Sequence, residues 1–170
     1  MMNWNVEKSK KEDCKEIVEF ITKTWNETYR GIVNEDFLSK LYETEDKRYN
    51  NAINNFDENN NLQYIVKNDN KIIAYLKLSK KEKCIELQSL YVLKTFQNNG
   101  IGKLLLNKAF EEAKIMGYDK IYIGCIDSNK SNGFYQKMGG KIVSKREFKL
   151  PNQVLYENVY EYGIETPEKM

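Results

Sequence analysis

Apolar and polar residues alternate along this chain in two different periods, and the places where the period changes outline its elements. From Ser9 to Trp25, the apolar positions Cys14, Ile17, Val18, Ile21 and Trp25 recur at helical spacing, which predicts a helix with one buried stripe. Ser9 and Glu12 have the spacing of a capping box at its start. A shorter stripe, Phe37, Leu38 and Leu41, follows Asn34, a residue suited to cap a second helix. Tyr49, Ala52, Ile53 and Phe56 keep helical spacing as far as the polar run Asp57 to Asn61, which reads as a loop. The period then shortens. Asn3 to Ser9 suits an opening strand, and Leu62 to Lys67 and Lys71 to Ser79 read as strands around the turn Asn68-Asp69-Asn70. Cys84 to Val92 is rich in β-formers, and Gly100 to Met116 carries Ile101, Leu104, Leu105, Ala109, Ala113 and Met116 on one helical face. Ile121 to Ile126 is a short apolar run bounded by polar residues, as a buried parallel strand requires. Lys141 to Leu150 and Gln153 to Tyr162 make a closing hairpin around Pro151-Asn152. The predicted order is β-α-α-β-β-β-α-β-α-β-β, an α/β domain built on a mixed sheet.

Between the strand ending at Val92 and the helix that follows lies Gln97-Asn98-Asn99-Gly100-Ile101-Gly102. It joins two glycines, a row of backbone amides and a helix N-terminus, the physical requirements for holding a phosphate-bearing ligand. A dinucleotide fingerprint needs a third glycine where Leu105 stands, and a P-loop needs glycine at Gln97 and Ser or Thr at Leu104. Both nucleotide readings fail at those residues.

The remaining pattern, Q-x-x-G-x-G, resembles the acyl-CoA pyrophosphate loop of the GNAT superfamily of N-acyltransferases. Upstream, Leu90-Tyr91-Val92-Leu93 looks like that family's fourth strand; downstream, Asn129 and Phe134-Tyr135-Gln136-Lys137-Met138-Gly139-Gly140 resemble its N-x-x-A-x-x-F-Y-x-K-x-G-F segment. Asn132-Gly133 departs from the usual alanine and its neighbour, and Gly140 stands where an aromatic is usual. The resemblance covers Cys84 to Ile142 closely and the rest in the order of elements. It implies a single domain over residues 1–170, a mostly antiparallel sheet with a central parallel βαβ unit and helices on both faces. Acceptor-side helices would span about 10–56, the acetyl-CoA-binding core about 84–142 and the closing hairpin about 141–162. It also implies cofactor contacts from Leu90, Tyr91 and Val92 to the pantetheine, from Gln97, Asn98, Asn99, Gly100, Ile101, Gly102 and Lys103 to the pyrophosphate, and from Asn129 and Tyr135 further along.

Composition narrows the chemistry. With 170 residues, 41% of them hydrophobic, there is material for one sizeable core. A net charge of +2 gives no reason to expect nucleic acid or an anionic membrane as partner. The opening residues lack an apolar core of signal-peptide length and no run approaches a membrane span, which fits a cytoplasmic protein. Three widely spaced cysteines, Cys14, Cys84 and Cys125, fit reduced thiols. The chain has no histidine, which removes Ser-His and Cys-His nucleophile pairs, His-ligated zinc and His bases together. Proton transfer falls to a carboxylate, tyrosine, lysine, cysteine or water, and no metal is expected.

Acyl transfer to an amine needs a neutral amine, a polarised thioester carbonyl and a stabilised thiolate. A lysine-like amine has a pKa of about 10.4 and arrives as ammonium, so a base must take its proton. Glu86, eleven residues before Gln97, resembles the strand-borne glutamate that serves as base in some family members. Tyr135 occupies the position of the family's tyrosine that faces the cofactor sulfur as general acid. A tyrosine pKa of about 10 lies above a thiol's of about 8.5, so its main service is a hydrogen bond to developing charge. Cys125, in a buried strand, reads as a small hydrophobe and not as an acyl carrier. Trp25, Tyr29, Tyr42, Glu27, Glu35, Asp36 and Glu43 lie in the acceptor-side part. Aromatic and acidic groups there suit a cationic amine, a polyamine in preference to a protein N-terminus. The expectation is an acetyl-CoA-dependent N-acetyltransferase working by direct attack in a ternary complex, with a homodimer as a possible assembly. The alternative is a regulatory domain that binds acyl-CoA without turnover.

Overall fold

The computed structural model describes residues 3–165. Its strands are β1 (Val6–Lys8), β2 (Gln63–Asn68), β3 (Lys71–Lys80), β4 (Ile85–Val92), β5 (Lys120–Ile126), β6 (Lys141–Leu150) and β7 (Gln153–Gly163). Its helices are α1 (Cys14–Tyr29), α2 (Glu35–Glu43), α3 (Glu45–Asn55), α4 (Ile101–Ile115) and α5 (Ser131–Lys137). The strands form one sheet in the order β1-β2-β3-β4-β5-β7-β6. Every neighbouring pair is antiparallel except β4 and β5, which run parallel with α4 as their crossover.

Helices cover both faces. On one, α4 buries Ile101, Leu105, Leu106, Ala109 and Ala113 against Val66, Leu76, Ile85, Leu87, Ile121 and Ile123, and Tyr135 of α5 joins the same core. On the other, Ile17 and Phe20 of α1 pack on Ile65, Ile72 and Tyr75. The alternation of each strand sorts its residues between these two layers. Among the described residues, no helix is long and apolar enough to cross a membrane.

The turn chemistry explains the register. Asp69 and Asn70 have φ of 49° and 63°, as a primed hairpin turn between β2 and β3 demands, and Asn152 has φ of 60° between β6 and β7. Asn34 caps α2 by accepting the N–H of Phe37 at 2.8 Å.

Three expectations are corrected. The predicted order omits α3, which buries no residue fully and therefore writes only a faint apolar stripe. The capping box is not at Ser9 and Glu12: the first turn spans Lys11–Asp13, and the Asp13 carboxylate accepts the Lys10 N–H at 2.8 Å. Ser9 instead accepts from the Asn61 side-chain amide at 3.2 Å. On α4, Leu106 is fully buried while Leu104 is only half-buried, and the helix begins at Ile101.

Candidate active site

The parallel pairing of β4 and β5 is short. It runs from Ile85–Ile121 through Glu86–Tyr122 to Leu87–Ile123 and stops. The cause lies in β4 itself. Against β3, Leu87 pairs with Leu78 and Ser89 with Lys77, so Gln88 is an extra residue, a bulge that bends β4 just where it leaves β5. Beyond it, the edge of β4 that faces β5 carries main-chain groups with no ladder partner, through Ser89, Leu90, Tyr91 and Val92. Such groups in a cleft are ready to bind an extended ligand.

The glycine loop stands at the open end of this splay. A single turn, Lys94–Phe96, leads into Gln97. The Gln97 side-chain amide donates to the Val92 carbonyl at 3.1 Å, and that of Asn99 donates to the carbonyls of Phe96 (3.1 Å) and Gln97 (3.0 Å). Loop carbonyls are thus taken by side-chain donors. Asn98 (φ 63°) and Gly100 (φ 80°) both take the left-handed conformation that asparagine and glycine tolerate best. Leu104 donates to Gly100 O at 3.1 Å, so the N–H groups of Ile101, Gly102 and Lys103 precede the helical ladder at the positive end of α4. A Cβ at Gly102 would lie 3.4 Å from the Phe134 ring, which shows how closely the start of α4 approaches α5.

Tyr135 reaches the splay from α5. It is buried, and its ring lies 5.7 Å from that of Tyr160 on β7. Burial, with Cys125, Tyr29 and Tyr91 nearby, pushes its hydroxyl well above the usual 10. It is therefore a fixed donor. Tyr29, at the end of α1, is raised for the same reason, with Tyr91, Cys125 and Asn129 around it. Tyr91 accepts from the Trp25 indole N–H at 2.9 Å. Tyrosines rooted on both faces of the sheet thus converge where β4 and β5 part. Burial also pushes the Cys125 thiol up to about 12, leaving it protonated and without nucleophilic character. Asn129 uses its side-chain oxygen to accept the Ser131 N–H at 2.9 Å at the entrance to α5.

Glu86 lies on the opposite face from Tyr135, at the base of the splay. Its Oε1 accepts from Arg146 Nη2 at 3.2 Å, and Lys81 Nζ lies 3.9 Å from its Oε2. Arg146 in turn pairs through Nε with Glu157, its register partner on β7. This triad crosses β5 at Gly124, the first residue past the last parallel pair. A Cβ there would fall 2.6 Å from Glu157 Oε2 and 2.8 Å from Arg146 Nη2, so glycine opens the lane that the arginine follows.

Of the residues expected on the acceptor side, Trp25 and Tyr29 do reach the splay. Their rings are 4.5 Å apart, and Phe148 of β6 lies 6.4 Å from Trp25. Glu27 instead accepts the Lys94 N–H at 3.3 Å, Glu35 and Asp36 sit in the first turn of α2, and Tyr42 is exposed. The β6–β7 hairpin is tied to this side: Gln153 accepts from Asn34 N at 2.8 Å and donates to Ile32 O at 2.8 Å.

Arg146, Glu157, Gly124 and Asn132 also belong to the site, although no sequence motif singles them out as functional. Asn132 donates to Ile126 O (2.9 Å) and Asn129 O (2.7 Å) and accepts from Tyr160 Oη at 2.6 Å, so it joins α5 to both strands beneath it. Among the described residues, no group of three or more acidic or cysteine side chains forms a metal site.

Residues 18–140 match the profile of the acetyltransferase (GNAT) family. The uncharacterised N-acetyltransferase YuaI of Bacillus subtilis is 26% identical over 161 residues, covering 89% of this chain and 88% of that protein. An uncharacterised N-acetyltransferase of Chlorobaculum tepidum is 36% identical over 66 residues, 39% of this chain, so the chain spans 40% of that relative's length. The crystal structure of PaiA N-acetyltransferase from Thermoplasma acidophilum in complex with coenzyme A has the same fold, with a TM-score of 0.74 at 22% identity over 95% of this chain and 99% of that one. The stretch matched by the profile takes in the splay, the glycine loop and Tyr135, and with that span of sequence and fold the chain belongs to the acetyltransferase (GNAT) family.

Proposed function

We propose that this chain is an N-acetyltransferase that moves the acetyl group of acetyl-CoA to a primary amine by direct attack in a ternary complex. The observation that carries the reading is the splay beyond Leu87 and Ile123, with the left-handed glycine loop at its open end and the protonated Tyr135 among the tyrosines that line it. The residues fit the donor: the amides of Ile101, Gly102 and Lys103 at the start of α4 suit a pyrophosphate, and the unpaired edge of β4 at Leu90, Tyr91 and Val92 suits the amide-bearing pantetheine. Gln97 and Asn99 support the loop through their side chains, and Asn98 and Gly100 supply its curvature. Asn129 shapes the turn into α5 that presents Tyr135.

Acetyl-CoA supplies the thioester and its thiolate leaving group. Glu86 takes the ammonium proton, directly or through a water. A main-chain N–H on the open edge of β4 donates to the carbonyl oxygen, and Tyr135 donates to the departing sulfur. With its pKa raised above 10, Tyr135 does not give up its proton readily, so it acts chiefly by hydrogen bonding. Cys125, protonated until about pH 12, takes no acyl group.

A small-molecule amine suits the acceptor side better than a protein N-terminus, because the β6–β7 hairpin is bonded to the α1–α2 connection through Gln153. Trp25, Tyr29 and Phe148 supply rings, and Glu86 supplies a carboxylate, for a cationic acceptor. The test is a thermal shift with acetyl-CoA, followed by free-CoA release across a panel of diamines, polyamines, amino acids and short peptides. Stabilisation plus release with small amines supports the reading. Neither effect with any member of the panel would sink it.

A further inference from the structure

Arg146 stands between two carboxylates at the base of the splay, and its two attachments are unequal. Nε pairs with Glu157, the cross-strand register partner, whose side chain is 10% exposed, whereas Nη2 reaches across the sheet to the 26% exposed Glu86 at 3.2 Å. The arginine side chain itself is 46% exposed, because it rises from the outermost strand. It crosses to Glu86 through the gap left by Gly124. We infer that Arg146 is a displaceable counter-ion of Glu86, and that the ammonium group of a cationic acceptor takes its place during the reaction. The inference rests on the reading of Glu86 as the base.

The chemistry favours exchange over a permanent bridge. A guanidinium does not release a proton at any working pH, so the Oε1 of a Glu86 held by Arg146 faces a partner that can transfer nothing. An ammonium in the same place is both counter-ion and proton donor. The swap conserves charge at the carboxylate and leaves Lys81, 3.9 Å away on the other oxygen, undisturbed. Arg146 keeps Glu157 when it lets go of Glu86, so no buried carboxylate is stranded. The neighbouring Tyr122 is engaged elsewhere, donating to Glu161 at 2.7 Å, and offers no substitute partner. The site therefore selects acceptors that bring a cation and discriminates against those with a carboxylate next to the amine, which would meet Glu86 and Glu157 at close range.

Arg146→Gln alone would leave Glu157 buried and unpaired, so two other variants isolate the effect. Arg146→Lys keeps a charge for Glu157 but lacks the second nitrogen needed to bridge to Glu86, and the double change Arg146→Gln with Glu157→Gln removes the pair together. Binding of 1,4-diaminobutane to the full chain in the presence of CoA is measured by calorimetry, with β-alanine as the zwitterionic comparison. Both variants are expected to bind the diamine about three- to tenfold more tightly, the size of a partly exposed ion pair, with a matching fall in its KM and no gain for β-alanine. In a Glu86→Gln background, Arg146→Lys should bring no gain. Folded variants that bind the diamine with unchanged or weaker affinity overturn the inference. Free-CoA release by the unaltered chain reports separately on the transferase reading: absence of release with every amine defeats that reading, while the binding ratio still judges the exchange.

Discussion

The hydroxyl of Tyr162 donates to the main-chain carbonyl of Tyr135 at 2.6 Å, and it occupies the space that a side chain at position 140 would need. A Cβ on Gly140 would lie 2.8 Å from the Tyr162 hydroxyl and 3.0 Å from the Tyr135 carbonyl. The glycine that breaks the family's usual aromatic pattern is thus explained by a tyrosine arriving from β7. That tyrosine fixes the end of α5, and with it the position of Tyr135.

Tyr162→Phe should therefore cost stability and activity together. Loss of a buried hydrogen bond is worth about 1–3 kcal/mol, measured by urea unfolding. Gly140→Phe, which restores the family's usual aromatic type, should destabilise more than Tyr162→Phe, because the ring space is already filled. Equal or higher stability in Gly140→Phe would contradict the account.

Tyr135→Phe should keep acetyl-CoA affinity and lower kcat by about a hundredfold, the typical effect of removing one preorganised donor to developing charge. Steady-state kinetics beside calorimetric binding separates the two. A loss of affinity with kcat unchanged would make Tyr135 a packing residue.

Glu86→Gln should lower kcat/KM by about a hundredfold at neutral pH, where the acceptor is almost wholly ammonium. The defect should shrink as pH rises toward the amine's own pKa of about 10.4, because the amine then loses its proton without help. A defect of constant size across pH 7–10 would assign Glu86 a structural role.

The buried tyrosines make stability fall in alkali. Burial raises Tyr29, Tyr75, Tyr135 and Tyr162 in the folded chain, Tyr162 to about 12, above the unfolded value near 10. Cys125 likewise rises from 9.0 to about 12. Above those unfolded values the unfolded chain releases protons that the folded chain retains, so unfolding is favoured as pH rises. The contribution is complete below about pH 9 and disappears progressively through pH 12. Melting temperature followed from pH 7 to 11.5 should stay level at first and then drop steadily; a level profile to pH 11.5 would contradict it.

Much of the framework was legible because it is local. Asp69, Asn70 and Asn152 announce turns through their tolerance of positive φ, and Asn34 announces a cap through its oxygen. The glycine loop was legible for the same reason. What escaped depends on contacts distant in sequence. Helix α3 carries Tyr49, Ala52 and Ile53 at helical spacing but buries none of them fully, and Arg48 ties it down by donating to Thr22 Oγ1 at 2.5 Å and Leu41 O at 2.6 Å. The bulge at Gln88 that opens the splay has no composition signal, since glutamine fits a regular strand equally well. The Arg146–Glu157 pair did carry one: a hairpin turning at Pro151-Asn152 sets those opposite charges directly across from each other. Its extension to Glu86 required the gap at Gly124, which only the sheet order reveals.

The most direct test of the central claim is initial-velocity kinetics of free-CoA release, with acetyl-CoA and a small amine varied together and the acetylated amine identified by mass. Direct attack in a ternary complex predicts amine-dependent release with intersecting double-reciprocal lines. Parallel lines, or tight acetyl-CoA binding with no amine-dependent release, would contradict it.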